Sequence, residues 1–318
     1  MTVLKVRVAE VTEEAAGVRG LRLVRDDGKP FDRYEAGAHI DVKGPTGVLR
    51  QYSVCSPPED LTSLLIAVKL ESASRGGSAA LHTVEPGDTL EIGAPRNLLR
   101  LAEEADRHVL VAGGIGITPL LSMAHELHRR DQEFELHYFA RKRDEAAFAD
   151  LLEHRVAFRN RVRPHFGVPR VEQPTLLEAA ASRLTSASHV YTCGPDGFMA
   201  QVSAVFAPVV GEGQVHIEHF VATEADTGQD RPLTVELDTG EVFDVPAGKS
   251  ILAVLTENGI DVFKSCEEGI CGSCVSGVLD GVPDHRDQCL SAAEKAAGDR
   301  MALCVSRAVG ERLKIELY

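Results

Sequence analysis

The stretch SCEEGICGSC at 265–274 limits what this chain can fold into more than any other. It sets cysteines at Cys266, Cys271 and Cys274, a Cys-x4-Cys-x2-Cys spacing, and Cys304 follows after 29 intervening residues. Four thiolates satisfy either an iron–sulfur cluster or a zinc ion, so ligand type alone does not decide between them. The spacing favours a [2Fe–2S] cluster, because structural zinc sites usually pair one Cys-x2-Cys with another. Gly269, Gly272 and Ser273 are small enough for backbone N–H groups to approach the sulfurs, and such bonds help set a reduction potential. Zinc, or four unrelated buried thiols, are the competing readings.

The rest of the chain places these thiols in a reducing compartment. The opening MTVLKVRVAEVTEE mixes charge with apolar positions, no apolar signal region follows, and no uninterrupted apolar run is long enough for a membrane span. A cytoplasmic protein with no membrane partner is the expectation, and there seven cysteines serve metals, catalysis or packing better than cross-links. A formal charge of −14 speaks against a nucleic-acid partner, which needs clustered Lys and Arg.

Three segments with different periods divide the 318 residues. Up to residue 103 the apolar residues alternate, as in LKVRVAEV, HIDVKG and LLIAVKL, with turn chemistry between the runs. Six short strands at that spacing predict an antiparallel β-barrel. Over 104–222 apolar runs (HVLVAGG, FELHYFA, HVYTCGP) alternate with helical patterns, including one over EAAFADLLEHR, which predicts an α/β domain with a parallel sheet. Residues 223–231 are polar and without period, a linker. In 232–318 a hairpin is expected across Asp238-Thr239-Gly240, then a short helix capped by Ser250 and stopped at Gly259, then the cysteine loop.

In HVLVAGGIGITP (108–119) a strand ends in Gly113, Gly114 and Gly116, and a helix is expected to open with Thr118 as its N-cap and Pro119 as its first residue. Such a turn lets a pyrophosphate approach backbone N–H groups at a helix N-terminus. Cys193-Gly194-Pro195 ends another strand of the same domain, where ligands of open α/β sheets bind. Together the two motifs resemble the nicotinamide-binding domain of the ferredoxin–NADP⁺ reductase superfamily. In the barrel, Arg50-Gln51-Tyr52-Ser53 resembles that superfamily's R-x-Y-S flavin motif. The resemblance implies that Arg50 pairs with a phosphate, Tyr52 packs on the flavin, and Ser53 faces its N5. Arg75-Gly76-Gly77-Ser78, ahead of a short helical stretch, is a further phosphate cradle.

The order of barrel, nucleotide domain and C-terminal β-grasp ferredoxin resembles the phthalate dioxygenase reductase family, which includes the reductases of vanillate demethylases. That resemblance covers the whole chain. It implies FMN, NADH and a separate terminal oxygenase of Rieske type as acceptor, with a cytochrome P450 or a non-enzymatic redox-sensing role as alternatives. HIEHF (216–220) resembles the family segment whose aromatic lies against the flavin, which makes Phe220 the candidate. Ser53, Thr118, Cys193 and Phe220 are thus the candidates for catalytic contact. Arg141-Lys142-Arg143 reads as a solvated basic loop rather than a 2′-phosphate site, His125 and His128 as an exposed helix face, and Cys55 and Cys289 as packing.

Overall fold

The alternation in the first segment becomes six antiparallel strands: β1 (Leu4–Ala15), β2 (Val18–Arg25), β3 (His39–Lys43), β4 (Leu49–Ser53), β5 (Leu64–Lys69) and β6 (Thr89–Ile92). Their order is β4-β3-β6-β1-β2-β5, and Val54, next after β4, bridges to Ile66 of β5 and closes the sheet into a barrel. Val6, Val8, Leu21, Leu23, Ile40, Val42, Ile66 and Val68 point inward at period two and fill it. Helix α1 (Gly77–Leu81) adds the buried Leu81 to this core. The computed structural model describes residues 3–71, 76–222 and 230–317, so Arg75 and most of the expected linker lie outside the described residues.

The second segment forms five parallel strands in the order β11-β10-β7-β8-β9. The elements are β7 (Arg107–Gly113), α2 (Ile117–Arg129), β8 (Phe134–Ala140), β9 (Val162–Phe166), α3 (Gln173–Ala181), β10 (Ser188–Cys193), α4 (Asp196–Val210) and β11 (Val215–Glu218). The winding reverses between β7 and β10, so the crevice at their carboxyl ends is where this architecture binds ligands. The continuous helix expected over EAAFADLLEHR does not form: the chain breaks at Phe148, and a wide π-type turn follows over Leu151–Arg155. Phe148, at φ 61, is held in the left-handed region while its ring is buried in the same core as Leu120, Leu121 and Leu127 of α2, and packing overrides helix propensity there. Barrel and sheet together make one unit, residues 1–218.

The second unit, residues 219–318, has the sheet order β13-β12-β18-β14-β16. Its elements are β12 (Leu233–Leu237), β13 (Val242–Val245), α5 (Ile251–Glu257), β14 (Val275–Asp280), β15 (Pro283–Asp284), α6 (Ala292–Ala297), β16 (Arg300–Ala302), β17 (Arg307–Ala308) and β18 (Arg312–Glu316). The hairpin turns where the sequence places it, and the Ser250 side chain accepts from the Ala253 amide as the N-cap of α5. Ile251, Leu252 and Leu255 of α5 share one core with Val235, Leu237, Leu313 and Ile315 in a β-grasp arrangement.

Candidate functional site

Strand β4 carries the barrel motif, and the neighbouring Asp41 on β3 holds it in place. Asp41 is fully buried, takes a bidentate pair from Arg96 at 2.5 and 3.0 Å, and accepts from Gln51 Nε2 at 2.8 Å. A buried carboxylate satisfied this way locks the β3–β4 hairpin and, with it, the strand that carries Arg50, Tyr52 and Ser53. Arg50 lies over the α1 turn: a Cβ on Gly77 would stand 2.9 Å from Arg50 Cγ. That contact brings the two phosphate motifs of the barrel side by side. Gly76, at φ 98, adopts a conformation that favours glycine, and an added Cβ there would meet nothing within 4 Å, as a phosphate cradle requires.

Ser53, at the end of β4, is 5% exposed, and its hydroxyl has no hydrogen-bond partner among the described residues. An unsatisfied buried hydroxyl costs about 1–3 kcal/mol, which makes it a candidate for contact with a bound group. His39 lies opposite Ser53 in the β3–β4 ladder, and its Nδ1 is 3.8 Å from Oε1 of Glu218, the last residue of β11. Both are buried, and His39 Nε2 and Glu218 Oε2 also lack partners among the described residues. Burial lowers the His39 imidazole to about 4 and raises the Glu218 carboxyl to about 8, so at neutral pH the two are uncharged rather than an ion pair. Three unsatisfied polar atoms gathered at one end of the barrel fit the polar edge of a flavin.

The two glycine motifs meet at the switch point. A Cβ on Gly116 would stand 2.1 Å from the Cys193 carbonyl oxygen, and one on Gly194 would stand 3.0 Å from Gly113 Cα. Gly113 leaves room for Phe198, whose ring would lie 2.8 Å from an added Cβ. Gly114, at φ 56, faces open space where a pyrophosphate can approach. Helix α2 starts earlier than the sequence predicts: a 3-10 turn over Gly114–Gly116 runs straight into Ile117, with Gly116 at the N-cap. Thr118 is therefore inside the helix, its hydroxyl donating back to the Ile115 carbonyl at 2.9 Å, and Pro119 is the third helical residue. Cys193 is fully buried beside Glu218, and burial pushes its thiol up, so it is no thiolate nucleophile.

Both guanidiniums of the 141–143 loop are engaged, Arg141 with Glu145 at 3.1 Å and Arg143 with Asp150 and Glu153 at 2.6 and 2.7 Å. That suits a dinucleotide without a 2′-phosphate. His128 is exposed, its ring centroid 5.6 Å from that of Phe158, and His125 is half-buried, edge-on to the same ring at 5.2 Å. The expected exposed face holds for His128, whereas His125 is half-buried because Phe158 covers that side of α2. Cys55 is core packing.

In the second unit the cysteine loop wraps its thiols inward. The Glu268 amide donates to Cys266 Sγ at 3.3 Å and the Ser273 amide to Cys271 Sγ at 3.5 Å. The Cys271 thiol and the amides of Glu268, Ile270 and Cys271 lower the Cys266 thiol to about 5, and Cys304 lowers Cys274 in the same way. Glu267, Gly269 and Gly272 adopt positive φ in this loop, and a Cβ on Gly269 would meet Val305 at 2.6 Å. Four thiols sharing protons and facing backbone donors fit a [2Fe–2S] cluster. Cys289 is half-buried against Asp287, outside the ligand set. Phe220, early in this unit, is 37% exposed.

Glu218 and His39 carry no sequence signal as site residues. Each acquires its meaning from burial beside Ser53, although Glu218 stands within the HIEHF segment.

A flavin barrel, a nucleotide-binding parallel sheet and an iron–sulfur β-grasp unit define a class, the NADH-dependent flavin and iron–sulfur oxidoreductases. Residues 235–309 match the 2Fe-2S iron-sulfur cluster binding domain. The chain is 41% identical over 317 residues to vanillate O-demethylase oxidoreductase of Pseudomonas sp. (strain HR199 / DSM 7063), covering 99% of this chain and 100% of that protein. The solved structure of phthalate dioxygenase reductase matches with TM-score 0.72 and 36% identity over 99% of this chain and 98% of that one. An intact type IV self-sufficient cytochrome P450 monooxygenase matches with TM-score 0.89 and 35% identity over 98% of this chain, which spans only 41% of it. The chain belongs to the phthalate dioxygenase reductase family, the electron-transfer oxidoreductases of oxygenase systems, and uses FMN, a [2Fe–2S] cluster and NADH. No helix among the described residues is long and apolar enough to cross a membrane.

Proposed function

We propose that this chain is the reductase component that delivers NADH electrons to a separate Rieske-type oxygenase. FMN, when bound, supplies the exchange between a two-electron donor and a one-electron cluster. Arg50 and residues 75–78 hold its phosphate, Tyr52 packs on the ring, and Ser53 meets its polar edge. Gly113, Gly114, Gly116 and the 193–195 turn seat NADH, with Thr118 and Cys193 lining that end and Phe220 as the aromatic partner of the ring. Cys266, Cys271, Cys274 and Cys304 hold the cluster. The unsatisfied, buried Ser53 hydroxyl at the end of the motif strand carries this reading.

The experiment is anaerobic: NADH is added to the purified protein and the flavin and iron–sulfur absorption bands are followed. Both bands bleach together on this reading, and a Rieske oxygenase component then reoxidises them. The P450 match favours a second acceptor, so a P450 is tested in parallel. Reoxidation by the P450 alone overturns the Rieske assignment; failure of NADH to bleach either band overturns the electron-transfer path.

A further inference from the structure

Strand β7 opens on Arg107, Glu133 and Glu135 flank the first residue of β8, Arg161 and Arg163 flank the first residue of β9, and Arg183 lies between α3 and β10. These six residues line a cavity of about 400 Å³. The strands are parallel, so their starts lie at the end of the sheet opposite the crevice that seats the dinucleotide. The cavity is therefore separate from the nucleotide site.

Its charges do not balance. Glu135 pairs with Arg183 at 2.9 Å and with Arg163 at 3.5 Å, and Glu133 pairs with Arg161 at 3.5 Å. Backbone and ring contacts hold two of the guanidiniums in place. Arg161 donates to the Gln132 carbonyl at 2.5 Å and stands 5.0 Å from the centroid of the Phe134 ring, while Arg163 donates to the Asn160 carbonyl at 2.6 Å. Arg107 has no ion pair among the described residues. Four guanidiniums thus share one concavity with two carboxylates, in a chain whose formal charge is −14. Guanidinium forks held in this way match the paired oxygens of a phosphate or carboxylate group. The volume lies within the roughly 300–1,000 Å³ of small-molecule sites. We propose that this cavity binds a small multivalent oxyanion, a metabolite bearing phosphate or carboxylate groups, with Arg107 the cation left free to pair with it.

The test is calorimetric titration of the full chain, FMN and cluster in place, with pyrophosphate and with citrate at constant ionic strength and pH 7. At least one of the two binds saturably at one site per chain and raises Tm with its concentration. Tighter pyrophosphate marks a phosphorylated ligand, and tighter citrate a polycarboxylate. Arg107→Gln, which leaves no partner unpaired, weakens binding about tenfold, and Arg107→Glu weakens it about a hundredfold. Arg100→Gln, at a 73% exposed arginine paired with Glu35, leaves it unchanged. No saturable binding of either anion overturns the proposal, as does binding equally strong in both Arg107 variants. An equal loss in Arg100→Gln also overturns it, because that is ionic screening alone. If the Arg107 variants fail to fold, arginine modification of the wild type by phenylglyoxal decides, mapped by peptide mass spectrometry. The anion then protects Arg107 while Arg100 reacts as before, and an unprotected Arg107 removes the site. None of these readouts needs electron transfer, so the result is independent of the acceptor.

Discussion

Replacing Gly116 with alanine tests the meeting of the two nucleotide motifs. Its φ is −63°, so the backbone tolerates alanine, and relief of glycine's flexibility alone would stabilise α2 by up to about 1 kcal/mol. The new Cβ, however, would stand 2.1 Å from the Cys193 oxygen and 2.7 Å from the Gly194 nitrogen, where ordinary contact begins near 3.4 Å. The backbone must back away by about 1.3 Å, and no flexible side chain can yield in its place. The β10 strand is also tied to β7 by its ladder and by Thr192 Oγ1 donating to the Val111 carbonyl at 2.9 Å. Overpacking of this kind costs about 3 kcal/mol, a fall in Tm of about 6–12 °C for a unit of this size. Thermal unfolding with flavin fluorescence measures it, and anaerobic NADH mixing should show slowed flavin reduction while dithionite still reduces flavin and cluster. Gly114→Ala, with open space at its Cβ, is the control and should lose only the cost of a left-handed alanine, about 1 kcal/mol. A Gly116→Ala protein with unchanged or higher Tm and normal NADH reduction would refute the contact.

Ser53→Ala should leave the FMN-free protein as stable as wild type or more so, since it removes an unsatisfied buried hydroxyl, yet slow flavin reduction by NADH; a large drop in Tm counts against the site. Cys304→Ser should abolish the cluster's visible and paramagnetic signals while NADH still bleaches the flavin, and an intact cluster would remove Cys304 from the ligand set. His39, His125, His165 and His216 are held near 4, chiefly by burial, below the 6.5 of an exposed imidazole. The unfolded chain therefore binds protons that the folded one refuses, so their contribution to stability is full above about pH 6.5 and falls as pH drops toward 4. Glu218, raised to about 8, works in the opposite direction, one group against four. A Tm constant from pH 7 to 5 would contradict that balance.

The cysteine spacing, the strand alternation of the barrel, the βαβ rhythm and the Ser250 cap were legible because each depends on local periods or on fixed offsets along the chain. The strands β9 and β11, five and four residues long, are too short for a period to stand out, and the break at Phe148 goes with the burial of its ring. Helix α2 begins before Thr118 because the glycine turn ahead of it is itself helical in its hydrogen bonding. Glu218 and His39 are 179 residues apart in sequence, and nothing along the chain marks them as neighbours. Sequence by itself determined which cofactor ligands exist, since ligand types and spacings are written locally. Only the tertiary structure decided which polar groups lie buried without partners, because burial depends on what folds over them.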